Sequence, residues 1–85
     1  MVTVSNDIFL RYDGKNGKSI HLMELECDSV ADLPPMEFSD SVKLSQGTLA
    51  HDISTGAFYA LDSTGTWYAQ DGSGAVEVNG NAESV

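Results

Sequence analysis

The chain has 85 residues, four basic side chains against thirteen acidic ones, and a formal charge of −9. That length allows one small domain with a thin core, because chains near this size bury only about 60% of the surface they expose when unfolded, which excludes a large enclosed active site. The charge excludes a phosphate-binding role built on clustered Lys and Arg, and it opposes attraction to an anionic membrane. A composition that is 41% apolar and 20% charged belongs to a folded chain.

All four cations, Arg11, Lys15, Lys18 and Lys43, precede Leu44, and beyond it every charged residue is an acid. Cys27 is the sole cysteine, so no intramolecular disulfide forms and a reducing cytoplasm suits folding. Met1 is followed by Val-Thr-Val-Ser-Asn-Asp, with no basic segment leading into an apolar run, so no secretion signal is expected. No window approaches the roughly 18 apolar residues of a membrane helix.

In chain order, Ile8, Leu10 and Tyr12 alternate with Phe9 and Arg11, which predicts a strand with one better-buried face. Asp13-Gly14-Lys15-Asn16-Gly17-Lys18 holds one Asp-Gly and one Asn-Gly, the signals of a tight turn, so a β-hairpin follows. Its return strand runs from Ser19 to Cys27, with His21, Met23, Leu25 and Cys27 on the more buried side. Residues 29–33 read as one helical turn, capped by Asp28 or Ser29 and halted by Pro34 and Pro35. Val42 to Leu44 and Thr48 to Ile53 supply strand material, broken by Ser45-Gln46-Gly47, where Gly47 is read as a bulge.

Ser54-Thr55-Gly56-Ala57-Phe58-Tyr59-Ala60 recurs nine residues later as Ser63-Thr64-Gly65-Thr66-Trp67-Tyr68-Ala69. Six strand residues plus a three-residue loop with a left-handed glycine account for that period, and they predict three adjacent antiparallel strands. One aromatic of each pair, Phe58-Tyr59 and Trp67-Tyr68, points inward and its neighbour outward. The fold expected is therefore mostly β, a small antiparallel meander or open barrel of five or six strands with at most one short helical turn. Residues 1–70 form the domain, and 71–85 are a flexible, acidic, glycine-rich tail in which Val76 and Val78 can add an edge strand to a partner.

Chemistry is weakly signalled. His21, Glu24, Glu26 and Cys27 lie within seven residues, but in a strand the first and last diverge from the two glutamates, and His51-Asp52 diverge likewise. No metal or other cofactor is assigned. Ser, His and Asp are present without a Gly-x-Ser-x-Gly elbow, and neither glycine cluster has the spacing of a phosphate cradle, so no catalytic residue is assigned and no enzyme is expected. Tyr59, Trp67 and Tyr68 are the candidate anchors for a partner, set against the alternative that these rings simply build the core.

Ser29-Val30-Ala31-Asp32-Leu33-Pro34, Gly47-Thr48-Leu49-Ala50, Gly56-Ala57-Phe58-Tyr59-Ala60-Leu61-Asp62 and Gly65-Thr66-Trp67 together resemble small proteins encoded among the structural genes of tailed bacteriophages and prophages. In those, an ADLP-type segment precedes a meander of the form G-x-x-A, turn, Y-x-x-D, turn and terminal W. The resemblance covers about half the chain, from Ser29 to Tyr68. It implies a virion component made in the bacterial cytoplasm, for head decoration, fibre base or head-to-tail joining. Its partners would be other virion proteins or further copies of itself, reached through sheet edges and aromatic anchors. Two alternatives come from the residues: an acidic inhibitor that mimics DNA, motivated by the −9 charge, and a glycan-binding module, motivated by Trp67 and its neighbouring tyrosines.

Overall fold

A computed structural model of the chain describes residues 1–76. They form a mostly β domain, one open sheet of seven strands with a single 3₁₀ turn. The strands are β1 (Val2–Asp13), β2 (Lys18–Cys27), β3 (Val42–Leu44), β4 (Leu49–Asp52), β5 (Ala57–Leu61), β6 (Trp67–Ala69) and β7 (Gly74–Val76). Their order is β1-β2-β4-β5-β6-β7, with β3 also paired to β2.

The expected hairpin joins β1 to β2, and Asp13 closes its turn by accepting the backbone N–H groups of Lys15 and Asn16 and the Asn16 side-chain amide. Pairing departs from a pure meander at β2, which runs parallel to both β3 and β4. Chain geometry explains this. The segment from Asp28 to Ser41 crosses back, through the 3₁₀ turn Val30–Asp32 and the two prolines, and brings Val42 beside Ser19 instead of reversing in a tight turn. Lys18 ties the returning segment down, with Nζ 3.1 Å from a Glu37 carboxylate oxygen and 3.2 Å from the carbonyls of Ser39 and Asp40. The loop at 45–48 then steps the chain from β3 to β4 along the same flank of β2, Gly47 donating to the Leu61 carbonyl at 2.9 Å. Ser29 precedes the 3₁₀ turn as expected, but its side chain makes no capping bond there.

From β4 onward the antiparallel meander is as the repeat predicts, except in its loops. Residues 53–56 join β4 to β5, and 62–66 join β5 to β6, one residue longer; both exceed the expected three. Gly56 and Gly65 hold the left-handed positions, with φ of 78° and 92°. Partners on β5 and β6 have residue numbers of equal parity, Leu61 with Trp67 and Ala60 with Tyr68, while the repeat period of nine is odd. Equivalent positions of the repeat therefore face opposite ways: Phe58 is exposed and Trp67 buried, Tyr59 buried and Tyr68 exposed. Gly74–Val76 pairs with β6 and so places in the sheet three residues that the sequence assigns to the tail.

One face of the sheet carries the core: Met23, Leu25, Cys27, Leu33, Leu44, Ala50, Tyr59, Leu61 and Trp67, with Met36 and Phe38 of the crossover packed against it. The odd-numbered side of β2 is buried from Met23 to Cys27, as alternation predicts, while Ile20 of the even-numbered row is also buried, apart from that cluster. The first strand departs from its reading. From Thr3 to Tyr12 every β1 residue is exposed, on both faces.

Candidate interaction surface

Among the described residues β1 ends the sheet, flanked by β2 on one edge and by no strand on the other. Alternation breaks twice along it, between Val4 and Asn6 and between Phe9 and Arg11, where one extra β1 residue interrupts the register. Such bulges bend a strand and re-aim its side chains. Ile8 lies opposite Leu22 on one face and Phe9 opposite His21 on the other. Phe9 meets the His21 ring edge-on, with centroids 5.5 Å apart, and His21 is held by Asp7 and Ser19. Phe9 keeps 57% of its surface exposed and Tyr12 65%, and Val4, Ile8 and Leu10 are exposed beside them. This is a long apolar strand edge with nothing over it among the described residues, the arrangement most prone to accept another strand.

The sheet face opposite the core is a second, flatter surface. Leu49, Phe58 and Tyr68 are exposed there. The His51 ring stacks on Phe58 at 4.7 Å, and its Nδ1 lies 2.7 Å from a Glu26 oxygen. A shallow groove of about 170 Å³ is lined by Glu24, Glu26, Leu49, His51 and Phe58.

The residues chosen from sequence as anchors divide. Trp67 is wholly buried, its Nε1–H donating to the Pro34 carbonyl at 2.8 Å, and Tyr59 is 8% exposed; both build the core and present nothing to a partner in this fold. The reason is register: Trp67 pairs with Leu61 and Tyr59 with Ala69 on the core side of the sheet, and Phe58 and Tyr68 fall on the other. Tyr68 lies on the outer face, and Val76, half-buried on β7, pairs with Trp67. Val78 lies outside the described residues. Sequence reasoning found the β1 strand but gave it one better-buried face; its exposure on both faces was signalled by Ile8-Phe9-Leu10, an apolar run that sets large side chains on both sides of a strand.

No group of His, Cys, Asp and Glu able to hold a metal is found among the described residues. Cys27 is buried with its thiol 3.4 Å from the His51 carbonyl, and burial raises its pKa. The acids have a clear structural use. Asp13, Asp52, Asp62 and Asp71 each open a turn and accept hydrogen bonds from residues two to four positions on, and those bonds hold each carboxyl below its usual range.

Four cations gather at the other end of the molecule's charge distribution. Arg11 and Lys43 both lie opposite Ile20, on the strands either side of it, and they line an open cleft of about 490 Å³ with Tyr12, Asp13, Ser45 and Gln46. Lys15 and Lys18 belong to the adjoining hairpin turn. No protein-family model matches the chain, and no curated protein or solved structure is significantly similar to it.

Proposed function

We propose that this chain is an assembly module, a structural component of a tailed-phage particle, whose docking element is β1. The observation that carries the reading is the free edge of β1 with its exposed apolar side chains, Val4, Ile8, Phe9, Leu10 and Tyr12. An edge of this kind binds other protein through main-chain hydrogen bonds and side-chain contact on either face, and it needs no catalytic group. The resemblance of residues 29–68 to small phage structural proteins supplies the setting. Repetition on a symmetric particle compensates for a modest individual interface.

The acids favour this reading over a DNA mimic. Asp13, Asp52, Asp62 and Asp71 spend their oxygens on their own turns instead of standing free in rows. Burial of Trp67 removes the ring on which the glycan-binding alternative chiefly rested.

Mass spectrometry of purified particles from the encoding strain tests the proposal. The chain is expected in fixed stoichiometry with capsid or tail proteins, and an Ile8→Lys/Phe9→Lys variant is expected to be absent from them. A wild-type chain missing from the particles, with neighbouring genes encoding no portal, capsid or tail protein, overturns it.

A further inference from the structure

We infer that β1 is the seat of a second copy of this chain, paired with it antiparallel about a two-fold axis that passes through the sheet at Ile8. The inference rests on the assembly reading and names its first partner.

Length comes first. Twelve extended residues span about 40 Å, a length comparable to the molecule's longest dimension of 37 Å. Two such edges laid together join two seven-stranded sheets into one and remove the exposed edge from both copies. The apolar side chains on the two faces of β1 then gain neighbours from the second copy on both faces at once.

Charge decides between a second copy and an unrelated strand. Along the β1–β2 hairpin, Arg11 and the lysines gather at the turn end, with Asp13 among them, and the acids of β2 and of the segment after it gather at the other end. Arg11 lies opposite Ile20, which also faces Lys43, and the turn beyond carries Lys15 and Lys18. Toward the opposite end, Asn6 lies opposite Glu24 and Thr3 opposite Glu26, and Asp28 and Asp32 bracket the N-terminus at 3.6 and 2.6 Å. Within the described residues the side chains of Arg11, Lys43 and Glu24 make no ion pair and no hydrogen bond.

An antiparallel two-fold turns one copy's basic end onto the other's acidic end, and it does so twice. Its axis is normal to the sheet, so each face stays continuous across the join. Ile20 and Glu24 are even-numbered residues of one regular strand, so their β1 partners Arg11 and Asn6 share a face with them. With the axis at Ile8, and Leu10 the extra residue of its bulge, Arg11 falls opposite Asn6 of the second copy, which lies opposite Glu24 on the same face. The Glu24 backbone of that copy is then about 10 Å away, two strand spacings, within joint reach of an arginine and a glutamate side chain. The pairing also keeps the turns of Asp62 and Asp71 in the two copies apart, because β1 is the strand farthest from them in the sheet order.

The test is a charge swap read by sedimentation equilibrium at neutral pH and low ionic strength. Wild type is expected to dimerise. Arg11→Glu sets Glu against Glu at both ends, and Glu24→Lys sets Arg against Lys; each alone is expected to weaken the dimer by about tenfold or more. Mixing the two variants pairs opposite charges at both ends, so the mixture is expected to return toward wild-type affinity. Both positions are exposed, and an unchanged Trp67 emission spectrum verifies that each variant is folded. A wild type that stays monomeric at millimolar concentration, or a mixture no tighter than its components, overturns the second copy. A monomeric chain that still enters particles through β1 overturns this inference and leaves the assembly reading standing. A dimer held by β1 but absent from particles does the reverse.

Discussion

Replacing Trp67 by phenylalanine removes the largest buried side chain of the core and also the Nε1–H that donates to the Pro34 carbonyl. A lost hydrogen bond at such a site costs about 1–3 kcal/mol before the vacated volume is counted. Urea unfolding followed by far-UV circular dichroism is expected to show a midpoint well below wild type, and an unchanged midpoint would remove Trp67 from the centre of the core. The turn aspartates differ in a way that can be ranked. Asp62 accepts bonds from two residues, from the Thr64 N–H and hydroxyl and from the Thr66 N–H, whereas Asp71 is held by Ser73 alone. Asp62→Ala is therefore expected to destabilise the fold more than Asp71→Ala in the same assay. The reverse order would mean that these bonds are replaced by water without loss.

Elements were legible where the signal is local. The Asp-Gly and Asn-Gly pair gave away the β1–β2 turn, and the Ser-Thr-Gly repeat gave away three neighbouring strands. Gly65 shows how firm the second signal is. At φ of 92° an added Cβ meets only Met36, at 3.6 Å, so Gly65→Ala tests backbone conformation with little steric interference and is expected to cost about 1 kcal/mol in unfolding free energy. What the sequence hid is non-local. That β3 and β4 run parallel to β2 depends on how the proline-bearing segment crosses back, and no period within a strand encodes that. Which aromatic of each pair is buried depends on which face of the sheet the crossover segment with Met36 and Phe38 covers, so Trp67 and Tyr59 read as possible anchors although they are core. The exposure of β1 was hidden because alternation reports a strand and not its distance from the core. For the same reason Ile8→Lys/Phe9→Lys is expected to leave the stability of the monomer within about 0.5 kcal/mol of wild type, since surface substitutions away from packed features usually do. A larger loss would show that β1 is packed in solution in a way these exposures do not describe.

At the scale of the whole molecule, acid separates two events that are usually confounded. The sequence isoelectric point is about 4.2, so near that pH the repulsion that keeps an acidic chain dispersed disappears. The carboxyls of Asp13, Asp52, Asp62 and Asp71 sit below their ordinary range because their turns hydrogen-bond the ionised form. An aspartate in an unfolded chain titrates near about 3.9. Groups whose folded values are depressed stabilise the fold fully above that point, and the stabilisation is lost as pH falls through the folded values. The chain is thus expected to associate near pH 4.2 while still folded, with β1 exposed and no net charge to hold copies apart, and to unfold only at lower pH as the turns lose their acceptors. Light scattering followed alongside Trp67 emission distinguishes the two: scattering rises first with native emission, and the emission shifts to the red afterwards. Asn at all four positions keeps an acceptor oxygen without the titrating proton, and it is expected to flatten the second transition and leave the first in place. Coincident transitions in the wild type would mean that the turn carboxylates do not govern acid stability, and that loss of net charge alone brings the sheet apart.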